Sequence, residues 1–258
     1  MLVCHTLSGM HACLSVLSIA RLKERWSAWW LDRGMCVRAC VCVRACVYVC
    51  VHGNRQSCGN CPADCGPCQL TDSVSRCVED GTYALSFDDG PSAVTNHLLD
   101  ILSSYDIPVT FFLIGRHIDT HGPQIQREEA MGFSTLSHTY SHEDLTAITP
   151  SRMFNQLYQT NLAFERSGAC RRPTLYRPPY GSTTSAVRRI AGRMGYRGVV
   201  WNMDTKDWLW AESDPEMMLQ SFKGNLTRMG TSGVLQLQHD VINASVKLIP
   251  QVRLRVRV

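Results

Sequence analysis

The chain has 258 residues, 45% of them hydrophobic, and a formal net charge of only +4, which suits one large globular domain or two small ones with a real core. From Tyr83 onward no basic stripe is interleaved with aromatics, which argues against a nucleic-acid partner. No apolar stretch reaches the roughly 18 residues that a membrane-spanning helix requires.

Cysteine usage is lopsided: twelve of the 13 cysteines lie at or before Cys77, and only Cys170 falls later. That shift marks a boundary near residue 80. In residues 1–54 the hexapeptide Cys36–Val41 is repeated unchanged as Cys42–Val47. Nearly all of this stretch can be encoded by alternating TG with CG or TA. A translated dinucleotide repeat, hence a non-native or disordered leader, is therefore the preferred reading, with a short cysteine-rich β-strand as the structural alternative. Ala12–Ala20 is apolar enough for the core of a signal peptide, but no basic region precedes it. Residues 55–80 carry Cys58, Cys61, Cys65 and Cys68 in the pattern C-x2-C-x3-C-x2-C, with Cys77 beyond. Zinc could sit there in a cytosolic protein, and disulfides would staple it in a secreted one. The Cys61–Gly66 run resembles the tail of a small secreted Cys-rich module, and the compartment argument favours disulfides. Sequons at Asn225 and Asn243 also fit secretion.

Residues 81–250 alternate strand and helix signals. Tyr83–Phe87 is a strand ending in an Asp-Gly-Pro turn. Leu98, Leu99, Ile101 and Leu102 share a helical face. Val109–Ile114 is a second strand, Gln124–Met131 a helix, and Phe133–Leu136 a third strand. Pro150–Ser167 makes a long amphipathic helix, and Leu175–Tyr176 a short fourth strand. Ser185–Met194 is helical, Gly198–Met203 is the fifth strand, Asp214–Met229 a helix with Asp-Pro at its start, and Gly233–Leu237 the sixth strand. Strands separated by helices of this length imply βα units and a mostly parallel sheet.

Five polar clusters follow strands one, three, four, five and six: Ser86–Pro91, Ser137–His142, Arg177–Gly181, Asp204–Trp208 and Gln238–Asp240. In a βα barrel those strand ends meet on one face, where active sites are built. Asp88 and Asp89 can reach one site only if the strand has ended, and Gly90-Pro91 supplies that break. One acid could sit on a metal while the other serves as base. His138 and His142, four apart, would lie on one face of a helix turn. With one carboxylate they form a donor set suited to catalytic zinc. Arg177 could hold a carboxylate ionised. Pro178 and Pro179 stiffen its loop, leaving the Tyr180 N–H as a candidate oxyanion donor. Asp207 next to Trp208 fits a sugar site, although a tryptophan in the core is an equal reading. His239, at a strand end after Leu237, could protonate a leaving group. Each cluster alone has an ordinary structural reading. Five on one face do not.

These clusters resemble, in order, the motifs of the polysaccharide deacetylases of NodB-homology type (carbohydrate esterase family four), over about Thr82 to Val252. The resemblance implies a distorted (β/α) barrel of about seven parallel strands and hydrolysis of an N-acetyl group. It implies Asp88 as general base and Asp89, His138 and His142 as ligands of zinc or another divalent metal such as cobalt. By the same resemblance Arg177 orients Asp88, Tyr180 gives its N–H to the oxyanion, and Asp207 tunes His239, the general acid. Trp208, Leu237 and Pro178 would line the substrate pocket. Within the family, Trp201–Trp208 and Leu237–Asp240 are similar to the fungal-type chitin deacetylases, so chitin or a related N-acetylglucosamine polymer is the expected partner, ahead of peptidoglycan and acetylated xylan. A secreted or cell-wall location follows. A non-catalytic carbohydrate-binding protein on the same scaffold is the alternative. Two departures stand out. Ser137 takes the place of the usual glycine or asparagine. In the atypical tail 251–258, Val252–Val258 alternates Arg with Val and Leu where relatives continue to one more strand, often with a cysteine that could pair near Cys77. A barrel truncated at its C-terminal strand and open at one seam is the expectation.

Overall fold

The computed structural model describes residues 2–7, 10–15, 36–42 and 46–52 as strands, and residues 72–77, 82–105, 107–169, 172–230 and 233–253. Met1–Gln69 form one compact unit and Leu70–Val258 another. In the first, Leu2–Leu7 pairs antiparallel with Met10–Ser15, and Cys36–Cys42 with Cys46–His52. The first hexapeptide thus lies within one strand, and Cys46 and Val47 of the second open its partner, in a segment whose valines favour strands. Cys58, Cys61, Cys65, Cys68 and Cys170 lie outside the described residues. No described helix is long and apolar enough to cross a membrane.

The second unit holds seven parallel strands: β1 (Tyr83–Asp88), β2 (Val109–Leu113), β3 (Ser134–Ser137), β4 (Leu175–Tyr176), β5 (Arg197–Gly198), β6 (Met203–Asp204) and β7 (Val234–His239). Their order across the curled sheet is β6-β7-β1-β2-β3-β4-β5. The run Gly198–Met203, read from sequence as one strand, is divided between the two edges of the sheet. Val199 N donates to Tyr176 O at 2.8 Å on one edge, and Asn202 N to Leu235 O at 3.1 Å on the other. The chain itself therefore crosses the seam. An apolar run cannot reveal that break, because Val199, Val200 and Trp201 look equally strand-like throughout. Val74 adds to the same edge: its N–H reaches Gly198 O at 2.9 Å, and its carbonyl accepts from Val200 N at 2.8 Å. The compact unit consequently begins some residues before the composition shift near residue 80. Cys77 Sγ donates to Val234 O at 3.0 Å.

Helices α1 (Thr95–Leu102), α2 (Gly115–Ala130), α3 (Pro150–Arg166), α4 (Ser185–Arg193), α5 (Asp207–Trp210), α6 (Pro215–Met229), α7 (Asn243–Lys247) and α8 (Ile249–Arg253) complete the unit. Thr149, Thr184 and Asp214 cap α3, α4 and α6 through their side-chain oxygens, with proline in the first turn of α3 and α6. Helix α2 starts well before the Gln124 expected from its pattern. His121 leaves helical geometry (φ −124°, ψ 35°) just ahead of Pro123, so Gly122-Pro123 reads as a breaker although a helical turn precedes it.

Strand alternation separates two layers. Leu85, Phe87, Phe111 and Leu113 face α1 and α2 among Leu98, Leu99, Ile118 and Phe164. Ala84, Phe112, Leu136, Leu235 and Trp201 fill the concave side. Continued to the strand ends, that concave register puts Ser86 and Asp88 on β1 and Leu237 and His239 on β7 above the packed interior, with His239 and Asp88 as direct register partners.

One core position conflicts with the rest. Glu128 on α2 is fully buried, and neither carboxylate oxygen has a hydrogen-bond partner. Burial, then the charges of Asp240 and Glu129, push its pKa well above the ordinary value. The folded state therefore holds a proton that the unfolded state has released. Stability should fall as pH rises above the usual glutamate range, by up to about 1.4 kcal/mol per pH unit. Glu128→Leu is expected to raise stability by about 1–3 kcal/mol near neutral pH and to flatten the slope, as read by urea unfolding at several pH values. Some slope should remain, because burial also lifts Asp240 to about 7.

Candidate metal centre and active site

The strand ends of β1, β3, β4, β6 and β7 deliver the five clusters to one face. Asp88 closes β1, and the next residue turns out of the strand: Asp89 has φ 77°. Gly90 is required there, because a Cβ would collide with the buried Asp240 carboxylate. Asp240 is fixed in turn by Thr95 Oγ1, which donates to Oδ2 at 2.6 Å. His117 Nδ1, in the first turn of α2, lies 2.7 Å from the Asp89 carbonyl oxygen and donates to it, since a carbonyl only accepts.

His138 and His142 do not share a helix. They sit in the loop after β3, where Thr139 (φ 67°) and His142 (φ 58°) are left-handed, and this double turn brings the ring centroids to 4.9 Å. The four-residue spacing matched a helical turn only by coincidence. The His138 Nδ1 is 2.8 Å from the Arg177 carbonyl, which fixes the proton on Nδ1 and leaves the Nε2 lone pair facing Asp89. Asp89 Oδ1 lies 3.4 Å from both His138 Nε2 and His142 Nε2, yet it is buried with no hydrogen-bond partner. Among the described residues these three side chains are the one group of three or more whose donor atoms converge, all within 4.8 Å of one another. A tetrahedral zinc with bonds of about 2.0–2.2 Å holds its donors about 3.4 Å apart. Two imidazoles and a carboxylate at that spacing fit a divalent cation. Burial opposes ionisation of Asp89, but the contact with His138 and the positive charges that His138, His239 and His142 carry when protonated hold its pKa well below the usual range.

Asp88 lies beside this cluster, its Oδ2 3.6 Å from His138 Nε2. Its other oxygen, Oδ1, accepts from Arg177 Nη1 at 2.5 Å. Arg177 is itself fully buried and stacks over Phe112 at 4.0 Å. Nη2 of the arginine donates to Ser86 Oγ at 2.9 Å. Ser86 was visible in its cluster but had no assigned role. It fixes the guanidinium plane. Tyr180 follows in a 3-10 turn with φ 60°, and its exposed ring meets the His142 ring edge-on at 4.7 Å. Pro178 is buried.

Across the site, His239 Nδ1 is 2.8 Å from Asp207 Oδ1, and its Nε2 points inward, 4.0 Å from Asp89 Oδ2. Burial alone would lower the His239 pKa. The hydrogen bond and charge of Asp207, with the charges of Asp89 and Asp88, lift it to about 9. Asp207 is buried and accepts from four groups: the His239 ring, His239 N at 2.7 Å, Trp208 N at 2.9 Å and Ser245 Oγ at 2.7 Å. Ser245 also accepts from Gln238 Nε2 at 2.9 Å. Sequence reasoning did not find Ser245, whose only signal was its place in a sequon. Leu237 is buried on the concave side, while Trp208 is 53% exposed and is not a core residue. Its Nε1 is 3.4 Å from Asp204 Oδ2, and Lys206 Nζ lies 5.1 Å from the ring centroid.

Comparison with known proteins bears on the same segment. The polysaccharide deacetylase family model matches residues 75–199. A chitin deacetylase of Pestalotiopsis sp is 34% identical over 181 residues, covering 69% of this chain and 59% of that protein. Chitin deacetylase 2 of Saccharomyces cerevisiae is 34% identical over 190 residues, covering 73% of this chain and 59% of that protein. Against four such chitin deacetylases the chain spans 41% to 59% of their length. The solved chitin deacetylase of Colletotrichum lindemuthianum superposes with a TM-score of 0.66 at 30% identity, covering 72% of this chain and 87% of that one. At 30% identity and with 87% of that solved relative covered, the chain belongs to the polysaccharide deacetylase family.

Proposed function

We propose that this chain removes N-acetyl groups hydrolytically from an N-acetylglucosamine polymer, chitin first, releasing acetate and leaving glucosamine units. The observation that carries this reading is the pairing of Asp88 and His239 on adjacent strands, on either side of the Asp89-His138-His142 cluster. Zinc, or another divalent ion such as cobalt, held by those three side chains would polarise the acetyl carbonyl and acidify the attacking water.

Asp88 acts through the oxygen that Arg177 leaves unoccupied. It takes a proton from the water as the oxygen bonds to the acetyl carbon. Arg177 and Ser86 keep that carboxylate aimed. The Tyr180 N–H accommodates the negative charge that develops on the carbonyl oxygen. His239, kept protonated by Asp207, then gives its Nε2 proton to the amide nitrogen as the C–N bond breaks. Acetate and a free amine result. Leu237 and Pro178 bound the acetyl pocket, and the exposed Trp208 offers a flat face to the sugar ring.

A non-catalytic carbohydrate-binding role would leave Asp88 and His239 without purpose, and both are intact. The sequons and the Cys-rich segment support a secreted or cell-wall location. The test is acetate release from chitin oligosaccharides, O-acetylated xylan and peptidoglycan fragments, with and without chelator. Chelator-sensitive release from chitin oligosaccharides is expected. No acetate from any of them under any metal condition would refute deacetylation, and release from xylan alone would move the substrate to O-acetyl esters.

A further inference from the structure

We infer that Gln156 is a positioning residue that holds the His138–His142 loop in its metal-ligating shape and so sets the affinity of the site for its cation. This rests on the metal-dependent reading above. Gln156 belongs to α3, not to any of the five clusters, and is buried at 5% exposure. Its side chain is saturated by one short loop. Oε1 accepts from Tyr140 N at 3.0 Å and Ser141 N at 2.9 Å. Nε2 donates to Ser141 Oγ at 2.7 Å and Glu143 Oε1 at 2.8 Å.

Tyr140 and Ser141 are what lies between the left-handed Thr139 and His142, and Glu143 follows directly after. Two non-glycine residues in that conformation are strained, and they persist only where the surroundings over-determine them. The opposite side of the loop is fastened as well. Gly115 N and Arg116 N, at the start of α2, donate to the Thr139 and Tyr140 carbonyls at 2.9 and 3.0 Å. Gly115 permits this approach, because a Cβ there would lie 2.6 Å from Tyr140 Cδ2. Helix α2 therefore fixes the carbonyls and Gln156 fixes the amides. Glu143 extends the brace, since Oε1 also accepts from Arg152 Nη2 at 2.8 Å. Without Gln156 the amides of Tyr140 and Ser141 lose their acceptor, and the loop that carries His142 is held only by its carbonyls on α2.

The test titrates the full chain with zinc alone against a chromophoric chelator and, in chelator-treated protein, reads amide exchange at Tyr140 and Ser141. Gln156→Leu is expected to weaken zinc binding 10–100-fold, on the order seen when partners of a metal ligand are removed, and to abolish protection of both amides. Gln156→Glu keeps the acceptor but loses both donors and faces Glu143, so a smaller loss with the amides still protected is expected. Gln159→Leu, on an outer position of the same helix, should match the wild type. A folded Gln156→Leu protein with wild-type zinc affinity would overturn the inference. If that variant does not fold, wild-type affinity in Gln156→Glu would do so. A wild-type chain that binds no zinc would instead refute the metal site itself, while the exchange of the two amides would still report on the brace.

Discussion

Asp88→Asn is expected to reduce turnover of chitin oligosaccharides by about 10²–10⁴-fold, the usual cost of removing a positioned general base, with little change in KM. The amide keeps the shape of the carboxylate and still offers an oxygen to Arg177, so the variant should fold. Asp88→Ala is a different experiment. It leaves a fully buried guanidinium without its counter-charge, and breaking one side of a buried pair costs about 3–5 kcal/mol. Adding Arg177→Met should return most of that stability, because an apolar side chain over Phe112 replaces an unpaired charge, while activity stays lost. Stability and catalysis are thereby separated on a single ion pair. Retention of more than a tenth of wild-type turnover by Asp88→Asn would remove this residue as the base, and an Asp88→Ala variant as stable as the wild type would show that Ser86 and Phe112 alone can shelter the arginine.

Much of this site could be read from the sequence because the chemistry is local there. Each cluster is contiguous, each follows an apolar strand, and the βα alternation alone assigns the strand ends to one face. What could not be read depends on contacts between distant segments. Gln156, Ser245 and His117 look like ordinary helix residues. Only the packing of α3, α7 and α2 against the loops gives their polar atoms partners. The loop holding His138 and His142 misleads in the opposite direction, since its spacing suggests a helix while two left-handed residues do the work. Trp208 shows the limit of composition. Its ring is as apolar as any core residue, and only the position of α5 at the rim exposes it. The fold had a similar blind spot at Val199–Asn202, where uniform hydrophobicity hides a crossing from one sheet edge to the other. Glu128 was equally illegible: a carboxyl sealed beneath α2 has no sequence signature beyond a charged residue where the helix turns inward.

The two histidines of the cluster should respond differently to removal, and that difference tests the cation site. The His138 side chain is 3% exposed and the His142 side chain 22%. The His138 Nδ1 is also tied to the Arg177 carbonyl, so the ring is part of the packing that aims Asp88. His142→Ala should therefore abolish acetate release at ordinary zinc concentrations while leaving the chelator-treated protein nearly as stable as the wild type. His138→Ala should lose both, because it opens a void beside a buried ion pair. Wild-type protein stripped by chelator should be inactive and recover with zinc or cobalt. Zinc at 100 times its dissociation constant should stabilise the fold by about 2.7 kcal/mol, a shift that His142→Ala forfeits over the same range. Asp89 Oδ1 has two ring nitrogens at 3.4 Å and no hydrogen bond, and an anionic oxygen buried in that way gains most from a cation that accepts electron pairs from all three groups at once. If added zinc leaves the melting temperature of the wild type unchanged and chelation leaves its activity intact, the three side chains are not a metal centre, and the protons must be moved by Asp88 and His239 without one.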